Sequence, residues 1–214
     1  MNNKLKFIVT HDEAVNEALR EISFQYNHLK KFCDIGCGLG LRTLLFCKYG
    51  RKVIGIDIND YKSSAYKNFT FIKGNIFKNK IEDKTIDIVL CFDVIEHIEN
   101  PNSLLQEIGR ILKDKGILIL STPNKYRLLA APLVALRLRK FPFCISNENR
   151  HLYPDFWHLR EYSEKEIKEF VLKNGFNVIN HLKVFYGITG GMGIKNFFGF
   201  PFYHNHILVL KKKY

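Results

Sequence analysis

The sequence has no apolar run long enough to cross a bilayer and no paired-cysteine motif. Because no stretch of about 18 or more apolar residues occurs, we expect no membrane-spanning helix. The five cysteines show no C-x-x-C pair and no metal-type spacing, which is typical of buried thiols in a reducing compartment. The N-terminal residues also lack the apolar centre of a secretion signal. We therefore expect a cytoplasmic protein whose 214 residues, 46% of them hydrophobic, form a single domain over 1–214.

Acidic residues are scarce relative to basic ones. The chain carries 33 lysines and arginines against 21 aspartates and glutamates, a formal net charge of +12. A basic total points to a partner only where the charges cluster. The densest clusters are 137–140 and the tail 211–213, and short runs of this kind are typical of solvated surface. We therefore expect no nucleic-acid partner, while an RNA substrate stays open as an alternative.

A glycine-rich segment between two apolar stretches is the most informative part of the sequence. It reads Asp34-x-Gly36-x-Gly38-x-Gly40, after a strand predicted to end at Ile35 and before a helix predicted to open over 41–47. Glycines suit a turn whose backbone amides must approach a ligand. The dinucleotide fingerprint requires a third glycine where this chain has Leu41, and a carboxylate at the strand end would repel a pyrophosphate. The spacing thus indicates a nucleoside cofactor without a pyrophosphate.

This glycine pattern resembles motif I of the class I methyltransferases that use S-adenosylmethionine. The resemblance covers residues 30–125 best and 150–180 in part. It implies a Rossmann-like methyltransferase fold, which is an α/β, doubly wound, mostly parallel seven-stranded sheet with helices on both faces. The alternation of strand-type and helix-type segments along the chain independently favours a parallel doubly wound sheet.

The resemblance also implies where the cofactor binds. The second predicted strand, 53–57, ends in Asp57, whose carboxylate can accept both ribose hydroxyls. The third strand runs into Asn75 where the family usually has an aspartate near the adenine, so a hydrogen bond is retained without the charge. The predicted cofactor-binding residues are Asp34, Gly36, Cys37, Gly38, Gly40, Asp57, Ile58, Asn75, Ile76, Phe92 and Asp93.

Two histidines are the candidate catalytic residues, namely His97 and His158. Methyl transfer from a sulfonium requires a base only if the acceptor must lose a proton, and an imidazole can take that proton near neutral pH. An orienting or core role stays open for each histidine. Asp93-x-x-Glu96-His97 also resembles the acidic-acidic-histidine set that places a divalent metal in quinone-ring O-methyltransferases. Since aspartate replaces the first glutamate of that set, we predict no metal.

Further segments flank the predicted site. The N-terminal one is expected to be a helix that packs on the sheet, with partial cover of the cofactor as the alternative. A helix over 10–29 begins with the capping-box pattern Thr10-x-x-Glu13. The long connection 125–160 is apolar and basic, which favours a lid that recognises the acceptor. Leucines beside arginines make a peripheral membrane contact through 125–145 the alternative. A second capping-box pattern, Ser163-x-x-Glu166, predicts another helix start.

Together these features predict a methyltransferase with S-adenosylmethionine as cofactor and a small, apolar or ring-bearing molecule as acceptor. Two alternatives remain, a cofactor-binding regulatory module without turnover and an RNA methyltransferase. The sequence determines neither the acceptor atom nor the oligomeric state.

Overall fold

A computed structural model describes residues 11–60, 68–127, 130–138, 158–185, 194–195 and 203–213. The predicted capping residue Thr10, the segment 139–157 and most of the loop after residue 185 lie outside the described residues.

The described strands form one sheet. In chain order they are β1 (Lys31–Ile35), β2 (Lys52–Asp57), β3 (Phe69–Lys73), β4 (Ile86–Phe92), β5 (Leu112–Pro123), β6 (Phe176–Phe185), β7 (Ile194–Lys195) and β8 (Asn205–Lys212). Their spatial order is β3-β2-β1-β4-β5-β8-β6-β7. Strands β1 to β5 pair in parallel, whereas β8 is antiparallel to both β5 and β6. The mostly parallel, doubly wound sheet is thus confirmed, and the two-residue β7, which pairs with the end of β6, adds an eighth strand to the seven expected.

Helices cover both faces of this sheet, as predicted. The described helices are α1 (His11–Gln25), α2 (Pro101–Ile111), α3 (Ala131–Ala135) and α4 (Glu164–Lys173). Helices α2 and α4 pack on one face against strand residues such as Val89 and Cys91. Helix α1 packs on the other face against their neighbours Ile88 and Leu90. Burial on both faces explains why β4 is almost uniformly apolar instead of alternating.

The order of the strands reverses beside β1, and this reversal positions the site. From β1 the chain goes outward to β2 and β3, then returns to place β4 on the other side of β1. In open parallel sheets a crevice forms outside the carboxyl ends of the strands at such a switch point, and ligands bind there. The glycine turn follows β1 directly, so it lies at this crevice.

Three predicted boundaries differ from the structure. The segment after the glycine turn is a single 3-10 turn, Thr43–Phe46, because Tyr49 and Gly50 both adopt positive φ and the chain enters β2 two residues later. Helix α1 ends at Gln25, four residues before the predicted end at 29. The pattern Asp114-Lys115-Gly116 predicts a turn between α2 and a fifth strand that starts at 117, whereas β5 begins at Leu112.

Only part of the predicted lid 125–160 is described. Within it, α3 is a single short helix that carries Pro132 in its first turn, where the missing N–H costs nothing. Leu136 and Leu138 are 68% and 69% exposed, beside Arg137. A lid and a membrane contact both stay predictions for this segment. No helix in the described ranges is long and apolar enough to span a membrane.

Candidate active site

A cavity of about 770 Å³ opens at the carboxyl ends of β1, β2 and β4. All the predicted cofactor-binding residues except Gly40 line it, and so does His97. Gly40 supports the turn, since it has a φ of +75° and donates its N–H to the Cys37 carbonyl at 2.8 Å. The sequence prediction therefore placed most of its site residues around one cavity.

The glycine turn is shaped by positive φ angles and by a close contact. Gly36 has a φ of +68°, and a Cβ built there would lie 2.4 Å from the Cγ2 atom of Val94. Gly38 has a φ of +53°, and nothing lies within 4 Å of a Cβ built on it. The Gly36 N–H also donates to the Ile56 carbonyl at 2.8 Å, which ties the turn to β2. The first glycine is thus required by packing, and the second leaves the backbone open to the cavity.

Asp57 at the end of β2 is held against this turn. Its Oδ2 atom accepts a hydrogen bond from the Gly38 N–H at 2.9 Å, and its Oδ1 atom accepts one from the Asn59 N–H at 2.9 Å. These two bonds orient the carboxylate at the cavity wall. Because each carboxylate oxygen can accept more than one hydrogen bond, Asp57 retains capacity for the hydroxyls of a ligand.

Asp34 lies at the base of the cavity and is almost fully buried. Its Oδ2 atom accepts a hydrogen bond from the Thr43 hydroxyl at 2.5 Å. Its Oδ1 atom is buried and has no hydrogen-bond partner within the described part of the chain. Burial raises the pKa of this carboxyl to about 7, against the opposing effects of Thr43 and Arg42. A buried carboxyl in the cavity lining whose second oxygen has no donor among the described residues fits a ligand that brings one.

Asn75 lies at the rim of the cavity, and its side chain serves the local turn. The Asn75 Oδ1 atom accepts a hydrogen bond from the Phe77 N–H at 2.9 Å and caps the 3-10 turn Ile76–Lys78. Ile58 and Phe77 place exposed apolar side chains at the same end of the cavity. Phe77 was not among the predicted site residues. Apolar side chains at this end suit a flat ring such as an adenine.

The two predicted catalytic histidines lie side by side. The ring centroids of His97 and His158 are 5.0 Å apart, and the rings meet edge to face. The Nδ1 atom of His158 lies 2.7 Å from Oε1 of Glu161, which Arg127 holds with bonds of 2.7 and 2.9 Å. Sequence reasoning missed Glu161 and Arg127. The spacing of three residues from His158 to Glu161 was the one local signal available.

Glu96 is a further polar residue close to the two histidines. It is fully buried, and its Oε2 atom accepts a hydrogen bond from the Thr122 hydroxyl at 3.0 Å. Its Oε1 atom has no partner among the residues that the structure describes. Burial, aided by the charge of Asp93, raises the pKa of this carboxyl well above its usual range.

Glu96, His97 and His158 could together hold a metal ion, since one candidate ligand atom from each lies within 4.8 Å of the others. This group differs from the metal-type pattern read in the sequence, because Asp93 has other partners. Arg42 donates to one Asp93 carboxylate oxygen, while Ser121 and Asn205 donate to the other.

The parallel sheet, the glycine turn at its switch point and the acidic strand ends define a class of protein, the α/β enzymes that bind a nucleoside cofactor at this position. Comparison with known proteins places the chain within that class. Residues 10–181 match the methyltransferase-domain family. The chain belongs to this family and is a class I S-adenosylmethionine-dependent methyltransferase.

Relatives of known sequence agree with this assignment. The chain is 31% identical over 170 residues to the ubiquinone biosynthesis O-methyltransferase of Rickettsia bellii. The matched region covers 72% of this chain and 70% of that protein. It is 28% identical over 158 residues to a probable S-adenosylmethionine-dependent methyltransferase of Mycolicibacterium smegmatis, or 72% of this chain and 54% of the relative.

Solved structures share the fold. The 1,6-didemethyltoxoflavin-N1-methyltransferase of Burkholderia thailandensis, solved with bound 1,6-didemethyltoxoflavin and S-adenosylhomocysteine, aligns with a TM-score of 0.66 at 15% identity. The alignment covers 95% of this chain and 80% of that one. A possible histamine N-methyltransferase of Thermotoga maritima aligns with a TM-score of 0.61 at 16% identity, over 95% and 91% of the two chains.

Proposed function

We propose that this methyltransferase methylates a hydroxyl group of a small, apolar or ring-bearing acceptor, and that His97 takes the proton that the hydroxyl loses. One observation carries the proposal. His97 lines the same cavity as Asp34 and Asp57 and is packed against His158, which Glu161 holds in place. The similarity to ubiquinone biosynthesis O-methyltransferases supports oxygen as the acceptor atom.

The described residues fit S-adenosylmethionine. The Asp57 carboxylate is oriented to accept hydrogen bonds from ribose hydroxyls, and the open side of Gly38 admits the ligand to the backbone. The buried Oδ1 atom of Asp34 offers an acceptor to the ammonium group of the amino-acid end. When bound, the cofactor supplies a methyl group on a sulfonium, which is already activated for transfer. The protein's own residues then have to align the acceptor and exclude water.

The histidine pair provides the proton acceptor. A hydroxyl that attacks a methyl group must lose its proton, and a positioned imidazole typically accelerates such a step by about 10²- to 10⁴-fold. His97 is the histidine at the cavity wall, and the edge-to-face contact with His158 restricts its ring. His158 is in turn fixed by the buried Glu161 carboxylate, whose charge Arg127 balances. His97 is thus the base, and His158 is its positioning residue.

Turnover assays test this function. The purified chain is incubated with S-adenosylmethionine and phenols that carry apolar side groups, and mass spectrometry measures S-adenosylhomocysteine and methylated product. The same compounds with the hydroxyl already methylated are the matched controls. Product from the free phenols alone supports the proposal. Tight cofactor binding without turnover on any acceptor indicates a regulatory module, and steeply salt-dependent RNA binding indicates an RNA substrate.

A divalent metal is the second candidate for activating the hydroxyl. A carboxylate oxygen of Glu96 lies close to both histidines, and its Oε1 atom has no hydrogen-bond partner among the described residues, which favours a metal. Glu96, His97 and His158 would be the ligands, and the metal would act as a Lewis acid on the acceptor oxygen. Assays after treatment with a chelator separate the two candidates. Unchanged activity supports His97 as a base, while loss of activity that added Mg²⁺, Mn²⁺ or Zn²⁺ restores supports a metal.

A further inference from the structure

Arg42 and Asp93 form an ion pair at the cavity wall, beside the glycine turn. The Nη1 atom of Arg42 lies 2.6 Å from Oδ2 of Asp93, and both residues line the cavity. Arg42 follows the glycine turn and begins the 3-10 turn Thr43–Phe46, whereas Asp93 follows β4. The pair therefore joins the loops that leave β1 and β4, on either side of the switch point.

Asp93 is fixed from several directions. Its backbone adopts a φ of +55°, uncommon for a residue with a side chain, and its N–H donates to the Ser121 carbonyl at 3.1 Å. Its Oδ1 atom accepts hydrogen bonds from the Ser121 hydroxyl at 2.8 Å and the Asn205 side-chain amide at 3.1 Å. The other carboxylate oxygen, Oδ2, accepts the hydrogen bond from Arg42. A carboxylate anchored to β4, β5 and β8 in this way sets the direction of the guanidinium.

The charges around the cavity single out Arg42. Among the described residues that line the cavity there are three aspartates, Asp34, Asp57 and Asp93, and Arg42 is the one arginine or lysine. The amino-acid end of S-adenosylmethionine carries an ammonium and a carboxylate. The aspartates suit the ammonium and the sulfonium, whereas a cation is the charge that complements the carboxylate. The charge of Arg42 also lowers the pKa of the Asp34 carboxyl, against the larger opposite effect of burial.

We propose that Arg42 binds the carboxylate of the cofactor's amino-acid end and that Asp93 is the positioning residue that aims it. A guanidinium presents five N–H donors in a planar fork, so it can serve Asp93 and a second carboxylate together. The inference rests on the proposed cofactor site and adds the residue that recognises its negative group. Arg42 then selects ligands that carry the complete amino acid over ligands that carry only the nucleoside.

Three ligands isolate this contact. S-adenosylhomocysteine carries the full amino-acid end, its decarboxylated analogue keeps the ammonium alone, and 5′-methylthioadenosine has neither group. Calorimetry with the wild-type chain is expected to show that S-adenosylhomocysteine binds about 10- to 100-fold more tightly than the decarboxylated analogue, as for a charge-assisted hydrogen bond. Arg42→Gln should remove most of that difference and leave 5′-methylthioadenosine binding within about twofold. Unchanged binding of the truncated ligand also shows that the variant is folded.

Two further variants separate binding from positioning. Arg42→Lys keeps the charge without the fork and should restore part of the discrimination. Asp93→Asn should weaken S-adenosylhomocysteine more than 5′-methylthioadenosine, by a smaller factor than Arg42→Gln. Equal affinity of wild type for S-adenosylhomocysteine and its decarboxylated analogue would overturn the proposal, and so would equal weakening of all three ligands by Arg42→Gln. If the wild type binds none of the three, the cofactor site itself fails, which is a different result.

Discussion

His158 and Glu161 are joined through a contact of 2.7 Å between Nδ1 and Oε1, and the Glu161 side chain is completely buried. Arg127 completes the arrangement with two bonds to the same carboxylate. A buried carboxylate is tolerated where its charge is paired and its oxygens are hydrogen bonded, and removing one partner is costly. The arrangement fixes the ring of His158, and through it the position of His97 at the cavity wall.

Glu161→Gln is predicted to lower turnover by about 10-fold or more, because the amide cannot balance Arg127 or hold His158 with the same charge. The affinity for S-adenosylhomocysteine should stay within about twofold, since Glu161 does not line the cavity. Steady-state kinetics and calorimetry measure the two quantities. Glu169→Gln, at an exposed glutamate of α4, is the matched control and should leave both unchanged. Loss of cofactor binding in Glu161→Gln would show a structural role instead.

His97→Gln is predicted to reduce kcat by about 10²- to 10⁴-fold, the range expected when a general base is removed. Glutamine keeps polar atoms and similar size but cannot take up the proton. Cofactor affinity should change little, which calorimetry with S-adenosylhomocysteine checks. His28→Gln, at an exposed histidine outside the cavity, serves as the control. Turnover equal to that of the wild type would contradict the role of His97.

Gly36→Ala is predicted to destabilise the chain by about 1 to 3 kcal/mol, because the φ of +68° disfavours a side chain and the new Cβ meets Val94. Cofactor binding should be lost along with the turn geometry. Gly109→Ala in α2 is the contrasting variant, since nothing lies within 4 Å of the added Cβ. It should stabilise the chain by about 0.5 to 1 kcal/mol. Urea unfolding gives both values, and a Gly36→Ala variant as stable as the wild type would contradict a left-handed Gly36 packed against Val94.

A buried histidine pair away from the cavity is predicted to make stability depend on pH. His181 Nε2 lies 3.1 Å from His206 Nδ1, and the His206 Nε2–H donates to the Tyr162 carbonyl at 3.1 Å. The Tyr203 hydroxyl also contacts His206. The charged neighbours are Glu164, Lys168 and Lys183. Burial lowers the pKa of His181 to about 3 and that of His206 to about 4.

Both folded-state pKa values lie below the unfolded value of about 6.5, so the unfolded chain binds more protons as the pH falls. The two neutral rings therefore contribute their full share to the free energy of unfolding above about pH 6.5. Below that pH the contribution falls by about 1.4 kcal/mol per pH unit for each histidine. Asp34 and Glu96, whose pKa values are raised, act in the opposite direction, so the effect must be measured by difference. As the pH falls from about 6.5 to about 5, the free energy of unfolding of His206→Gln should rise by about 2 kcal/mol relative to that of the wild type. A constant difference across this range would contradict the prediction.

The parts of the site that follow from local chain geometry could be predicted from the sequence. Gly36 and Gly38 mark positive φ angles, and Asp57 ends a strand whose neighbour carries the glycine turn, so their proximity follows from a parallel sheet. The ion pairs could not be predicted in this way. Arg42 and Asp93 are 51 residues apart, and Arg127 and Glu161 are 34 apart, so each pair depends on how whole elements pack.

The metal-type pattern shows the same limit. Spacing alone grouped Asp93 with Glu96 and His97, but the positive φ of Asp93 and its bonds to Ser121 and Arg42 give it other partners. His158, from a distant segment, lies beside the other two instead. The helix predicted to open over 41–47 is only a 3-10 turn, Thr43–Phe46, for a comparable reason, since the left-handed residues Tyr49 and Gly50 lead the chain directly into β2.

Calorimetric titration of Asp57→Ala with S-adenosylhomocysteine tests the cofactor site most directly. Asp60→Ala is the matched control, because Asp60 is exposed, lies three residues further on and does not line the cavity. Asp57→Ala should weaken binding by about 10- to 100-fold, as expected when a carboxylate that accepts ligand hydroxyls is removed. Asp60→Ala should bind within about twofold of the wild type. Binding by Asp57→Ala as tight as that of the wild type would contradict a ribose site at the end of β2 and, with it, the proposed placement of the methyl donor.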